Sequence, residues 1–169
     1  MIPARDDDGY ADLRTYAALG DGDTVALVAE DGSVDWYPVP LLDSHPVFAR
    51  LLDAPAGGSI ELQPVDEFTV ERAYVPGTNV LSTVFTTAQG RVRVTDSIDT
   101  GVAGRLPWGE LARRVEGLDG EVAMRWTVAP GTGLGRYQPW CDRTQHGPVL
   151  RVGTVSIGVR TSGTGEPVV

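Results

Sequence analysis

Lysine is absent from this chain of 169 residues: all 14 basic side chains are arginine, set against 23 acidic ones for a net charge of −9. An acidic surface is repelled by phosphate backbones, so nucleic-acid binding is not expected. Cysteine occurs once, at Cys141, which excludes an internal disulfide and fits a reducing compartment. Histidine occurs twice, at His45 and His146, too sparsely for a structural zinc site. No run approaches the ~18 apolar residues of a membrane span. The opening MIPARDDDGYAD has no apolar stretch that could act as a secretory signal. A cytoplasmic location without membrane contact is the expectation.

Glycine and proline are plentiful, at 21 and 12 residues, and punctuate the chain rather than cluster. That favours short strands joined by turns over long helices. A chain of this length buries roughly 70% of its unfolded surface, enough for one domain without a metal or disulfide staple. Charge is uneven: the first hundred residues hold 17 acidic and 6 basic side chains, and the remaining 69 hold 6 and 8. Residues 1–12, with the run Asp6-Asp7-Asp8, read as a flexible lead-in to a single domain over 13–169.

Within TVALVAEDGSVDWYPV, two apolar runs flank Asp31-Gly32, a dipeptide suited to a hairpin turn. Residues 40–55 predict one short helix, over about 45–53. Ser44 can cap it, Pro46 suits a first turn, and Val47, Phe48, Leu51 and Leu52 share a helical face. The remainder reads as strands. Phe68 to Val75 alternates, Val80 to Thr87 is β-branched, and Val92 and Val94 alternate with Arg91 and Arg93. Gly117 to Gly120 reads as a turn before Glu121 to Ala129, where Val122, Met124, Trp126 and Val128 share a face. Val149 to Val152 and Val155 to Val159 form a hairpin about Gly153, while 101–108 and 130–147 read as long surface loops. The expected fold class is all-β, an antiparallel β-sandwich of about nine or ten strands.

Chemistry-bearing residues are scattered. Cys141 and His146 are close in sequence but lack an orienting third group, and His45 suits a surface or capping role. Asp6-Asp7-Asp8 reads as a solvated stretch, and Gly131-Thr-Gly133-Leu-Gly135 lacks the spacing and following helix of a phosphate loop. Sugar hydrolysis uses two carboxylates, for which Asp35, Asp43, Asp96, Asp99, Glu110 and Glu116 are the candidates, but no spacing pairs any two. Trp36, Tyr37, Trp108, Tyr137 and Trp140 suit stacking on sugar rings or packing at an interface, whereas Trp126 belongs to an alternating strand and hence the core. No catalytic residue, metal or cofactor is expected in this chain.

The order of four segments carries a resemblance. TYAALGDGDTVALVAEDGSVDWYPVPLLDSHPVFARLLD, YVPGTNVLSTVFTTAQGRVRVTD, RRVEGLDGEVAMRWTVAP and GRYQPW resemble, in sequence order, the opening of bacterial and archaeal glucoamylase- and trehalase-like proteins of glycoside hydrolase family 15. The resemblance covers roughly residues 13–160. It implies an N-terminal β-sandwich of the supersandwich kind, followed in the family by a helical (α/α) toroid that holds both catalytic carboxyl groups. The family reaction is inverting hydrolysis of an α-glucosidic bond. The family shows Pro-Arg-Phe-Asp-Ser where this chain has Pro40-Leu41-Leu42-Asp43-Ser44, so a multi-donor cation is missing at position 41. The resemblance further implies that the domain stops early, at SGTGEPVV, leaving an exposed edge open to self-association.

The expected role is therefore a non-catalytic domain that packs on a helical catalytic partner and meets α-glucoside substrate through it. Trp36, Tyr37, Asp43, Ser44, Trp108 and Trp140 are the candidates for a substrate cleft or domain interface. A free-standing carbohydrate-binding module and a protein-interaction β-domain are the alternatives.

Overall fold

A computed structural model describes residues 5–101, 108–163, 165 and 167–169. Among these, β1 (Ala17–Gly20), β2 (Val25–Val28), β3 (Val34–Pro38), β5 (Gly58–Pro64) and β10 (Met124–Pro130) form one sheet in that order, with β4 (Pro46–Phe48) joined to β3. A second sheet holds β6 (Thr69–Tyr74), β7 (Leu81–Thr86), β8 (Gly90–Ile98) and β9 (Leu111–Gly120). A third holds β11 (Trp140–Thr144), β12 (Gly147–Val152) and β13 (Val155–Gly158). All strand pairings within the sheets are antiparallel. The fold is all-β, consistent with a β-sandwich.

Two apolar clusters hold the layers together. One joins Leu19, Val28 and Phe48 of the first sheet to Leu81 and Ile98 of the second and Leu150 of the third. The other joins Leu62 of β5 to Phe68, Phe85, Val92 and Val94, with Phe68 and Phe85 edge to face at 5.1 Å. Trp126 packs against both clusters, as its alternating strand predicts. Burial of such side chains contributes about 1.5–3 kcal/mol each.

One polar pair interrupts this core. Asp96 lies between Val94 and Ile98 on the buried face of β8 and is fully enclosed. Arg113, directly across on β9, grips both carboxylate oxygens at 2.8 and 3.0 Å and also donates to the Gly32 carbonyl at 2.6 Å. The pair thus clamps the β2–β3 turn to the second sheet. Gly32 has φ +81°, and a Cβ there would meet Phe85 at 2.7 Å, so only glycine fits this turn.

Several expectations need correction. No helix forms over 45–53; Pro46–Phe48 is β4, with Tyr37 opposite Phe48 and Pro38 opposite Pro46. The i, i+1, i+4, i+5 spacing of Val47, Phe48, Leu51 and Leu52 imitated a helical face over too short a stretch. Pairing with β3 buries Val47 and Phe48 and leaves Leu52 exposed. Ser44 caps no helix, and its Oγ accepts from the Leu41 amide at 3.1 Å.

Gly117–Gly120 is not a turn but the end of β9, where Leu118 bulges out between the Val92–Gly117 and Arg91–Asp119 pairs. The long loop expected at 130–147 contains β11, and the described residues form thirteen strands rather than nine or ten. Of the loop expected at 101–108, residues 102–107 lie outside the described residues.

Two features fix the periphery. Gly131 donates to the Val47 carbonyl at 2.8 Å, and a Cβ on Gly131 would fall 1.7 Å from the Gly57 carbonyl oxygen, so backbone touches backbone there. On the outer edge of β10, Val168 pairs with Thr127 as a parallel bridge, bonded to Val128 and Trp126 at 2.9 and 3.0 Å. β9 ends the second sheet, with no strand beyond it among the described residues. No described helix is long and apolar enough to cross a membrane.

Candidate functional site

The candidate residues sit on β3 and the turn that follows. Val28 pairs with Val34 and Leu27 with Trp36, so Asp35 is the extra residue of a β-bulge. Tyr37 is buried in the first cluster, opposite Phe48, while Trp36 is half-buried. Burial, together with the negative charge of Asp21, pushes the Tyr37 phenol up to about 12. Gly109 lies against the Tyr37 hydroxyl, so the neighbouring Trp108, 62% exposed, is placed near this strand end.

After a cis Val39–Pro40 bond the chain turns through Leu41–Ser44. The Ser44 amide donates to the Leu41 carbonyl at 2.9 Å, and the Leu42 amide to the Asp23 carbonyl at 2.8 Å. Those bonds occupy the backbone and leave Leu41, Leu42 and Asp43 exposed. His45 meets Tyr137 edge to face at 6.4 Å, and the Tyr137 ring lies over Gly133 and Gly153. Trp140, 55% exposed, stands on β11 with the Arg151 guanidinium 5.5 Å from its ring centre. The structure therefore gathers the Leu41–His45 turn with Tyr137, sets Trp108 beside Tyr37, and mounts Trp140 on the third sheet.

The other chemical candidates are engaged elsewhere. Cys141 is exposed on β11 opposite Leu150, and His146 contacts Gln145 in the following turn. Asp99 accepts from the Gly101 amide at 3.0 Å, and its own amide bonds the Glu110 carbonyl. Glu116 pairs with Arg93 at 2.9 Å. Among the described residues, no three His, Cys, Asp or Glu side chains gather as metal ligands.

A second site was missed by sequence reasoning. The Asp35 carboxylate has no exposed surface, yet it meets the Arg5 guanidinium at 3.0 Å, accepts from Arg50 Nε at 2.8 Å and accepts from the Tyr16 hydroxyl at 2.7 Å. Arg5 also binds Asp31 and Ser33, at 2.9 and 2.6 Å. Burial alone would raise the Asp31 carboxyl; the Arg5 charge and hydrogen bonds from Ser33 overcome it and hold the group below the usual carboxylate range. Burial and the Asp35 carboxylate push the Tyr16 phenol well above its ordinary value.

This network opens into a cleft of about 430 Å³. Glu61 and Gln63 alternate on β5 with Ile60 and Leu62 of the core, so they project from the opposite face. Arg125 lies directly across from Gln63 on β10. With its amide set by its neighbours, Gln63 donates to the Asp31 carbonyl at 3.1 Å and accepts from Arg125 at 2.7 Å. Arg50 bonds Glu61 at 2.6 Å, and Phe68 and Pro64 supply apolar wall. The one signal for this site in the sequence is Asp35 itself, a charge between Val34 and Trp36 in an otherwise apolar strand.

The trehalase-like N-terminal family profile matches residues 10–169. The chain is 30% identical to the trehalase of Thermoplasma volcanium over 156 residues, 90% of this chain and 25% of that protein. It is 35% identical to trehalase 1 of Sulfolobus acidocaldarius over 137 residues, 80% of this chain and 22% of that one. It is 33% identical to the trehalase of Mycolicibacterium smegmatis over 106 residues, 62% and 15% of the two chains. The chain thus spans about a quarter or less of the length of these curated relatives. No solved structure matches it.

Proposed function

Since the chain belongs to the trehalase-like N-terminal family, we propose that it is the non-catalytic β-domain of a family 15 α-glucoside hydrolase of the trehalase or glucoamylase type. In this reading it packs on a helical catalytic portion of the same polypeptide in the cytoplasm. Hydrolysis there is inverting, with both catalytic carboxyl groups in the helical part. The Trp36–Ser44 segment, Trp108 and Trp140 form the contact surface and one wall of the substrate cleft.

The observation that carries the reading is the turn after β3. Its backbone is tied by hydrogen bonds to Asp23 and Ser44, it holds Leu41 and Leu42 out in solvent, and His45 at its end meets Tyr137. A rigid mount for exposed apolar side chains suits a surface that another body covers. The test is Leu42→Glu in the longer polypeptide that carries this domain with its catalytic portion. The expected result is a fall in kcat/KM on trehalose of about tenfold, with this domain still folded by circular dichroism. Unchanged kcat/KM would remove the surface from both contact and cleft.

Taken alone, the chain is proposed to self-associate through the open edge of β9, whose backbone bonds only to β8 among the described residues. Light scattering over a rising concentration series is expected to show dimers; a clean monomer throughout would end this idea.

A further inference from the structure

The cleft on the outer face of the first sheet has no part in the docking reading above. We infer that it is a binding site for a neutral polyhydroxylated ligand, of the size of a mono- or disaccharide. Its volume of about 430 Å³ lies within the usual range for small-molecule pockets, roughly 300–1,000 Å³.

The lining sets the chemical class. Along the lining, Arg5, Arg50 and Arg125 face Asp31, Glu61 and Asp66, and the buried Asp35 pairs with Arg5 and Arg50 behind it, so groups of both signs are interleaved with a slight negative excess. An anion is disfavoured by such a wall, and a full charge of either sign meets like charges there and loses its hydration. A polyol, by contrast, both donates and accepts at each hydroxyl.

The open side offers both roles. Arg125, with 53% of its side chain exposed, uses one amino group on Gln63 and stands 3.9 Å from Glu61 Oε2, beyond hydrogen-bond distance. Its other N–H groups can donate outward, while Glu61 Oε2 and the exposed Asp66 can accept. Val65, 61% exposed beside the buried Pro64 and Phe68, supplies apolar surface for the C–H face of a sugar ring. The polar groups are also held in place before any ligand arrives: the Glu61 carboxylate is fixed by Arg50, and Gln63, which holds Arg125, is fixed by the Asp31 carbonyl. Such fixing lowers the entropic cost of binding.

The test uses the isotope-labelled chain of 169 residues and follows amide chemical shifts. The probe is α,α-trehalose, with sodium gluconate as an anionic polyol for comparison. Saturable shifts are expected at Glu61, Gln63, Asp66 and Arg125, with weaker or no response to gluconate. Arg125→Ala removes a charged donor, so binding is expected to weaken about tenfold, with the thermal midpoint unchanged because the side chain is largely exposed. Arg114→Ala, on β9 of the other sheet, is expected to bind as the parent does. The inference is overturned by an absence of saturable shifts, by binding that survives Arg125→Ala, or by tighter binding of gluconate. Shifts confined to the Trp36–Ser44 segment would also overturn it, and would support the cleft-wall reading instead.

Discussion

The outer face of the first sheet and the turn after β3 reverse the usual distribution of polarity. On the sheet face, Asp35 is sealed from water and met by two arginines and a tyrosine. At the turn, a few residues along the chain, Leu41 and Leu42 stand in solvent although leucine favours the interior. The network around Asp35 closes on groups of its own chain. The apolar region is built by the chain but left open by it. Stability is therefore concentrated in the first, while the second is free to serve a partner.

The sharpest way to break this contrast is Asp35→Ala. Removing one member of a buried ion network leaves the others uncompensated, at a cost of about 3–5 kcal/mol. That is a large part of the ~5–15 kcal/mol that holds a domain folded. A urea unfolding midpoint reads the effect, and a shift of under 1 kcal/mol would mean that water reaches Arg5 and Arg50 easily.

An intermediate effect is expected from acid. The Asp31 carboxyl is held below its ordinary range in the folded state. Its contribution is thus fully present above the unfolded value of about 3.9 and is lost as pH falls through the lower, folded value. Asp31→Asn is expected to flatten the fall in stability on the acid side of about pH 4. An equally steep fall in that variant would assign acid sensitivity to other carboxylates.

The smallest effect belongs to the apolar turn. The Leu42→Glu change proposed to impair the longer enzyme is expected to alter the stability of the isolated domain by no more than about 0.5 kcal/mol, as surface changes do. A larger loss would show that the turn supports the fold as well, and would narrow the contrast between the two regions.

Much of the fold was legible because alternation and turn residues act locally. The β2–β3 hairpin about Asp31-Gly32, the alternation of β8 and the β12–β13 hairpin about Gly153 all follow from the sequence. Three things were not legible. The helix expected over 45–53 failed because pairing of Pro46–Phe48 with β3 outweighs a weak periodic signal. The bulges at Asp35 and Leu118 depend on a partner strand that local sequence does not name. The charged cleft and the buried Asp35 behind it join Arg5, Asp31, Arg50, Glu61 and Arg125 from distant parts of the chain, which no local pattern reveals. Of the candidate interface residues, Trp108, Asp43 and Trp140 are exposed and Ser44 is half-buried, whereas Tyr37 is committed to the core.

The contact between Gly57 and Gly131 separates position from identity in the loop that follows. At its root the chain rests on another stretch of backbone, with no side chain between them. The point of departure for residues 132–139 is consequently set by peptide geometry alone. Exposed positions of that loop, such as Gln138, can be rewritten as a surface while its root stays in place and Tyr137 keeps its seat over Gly153.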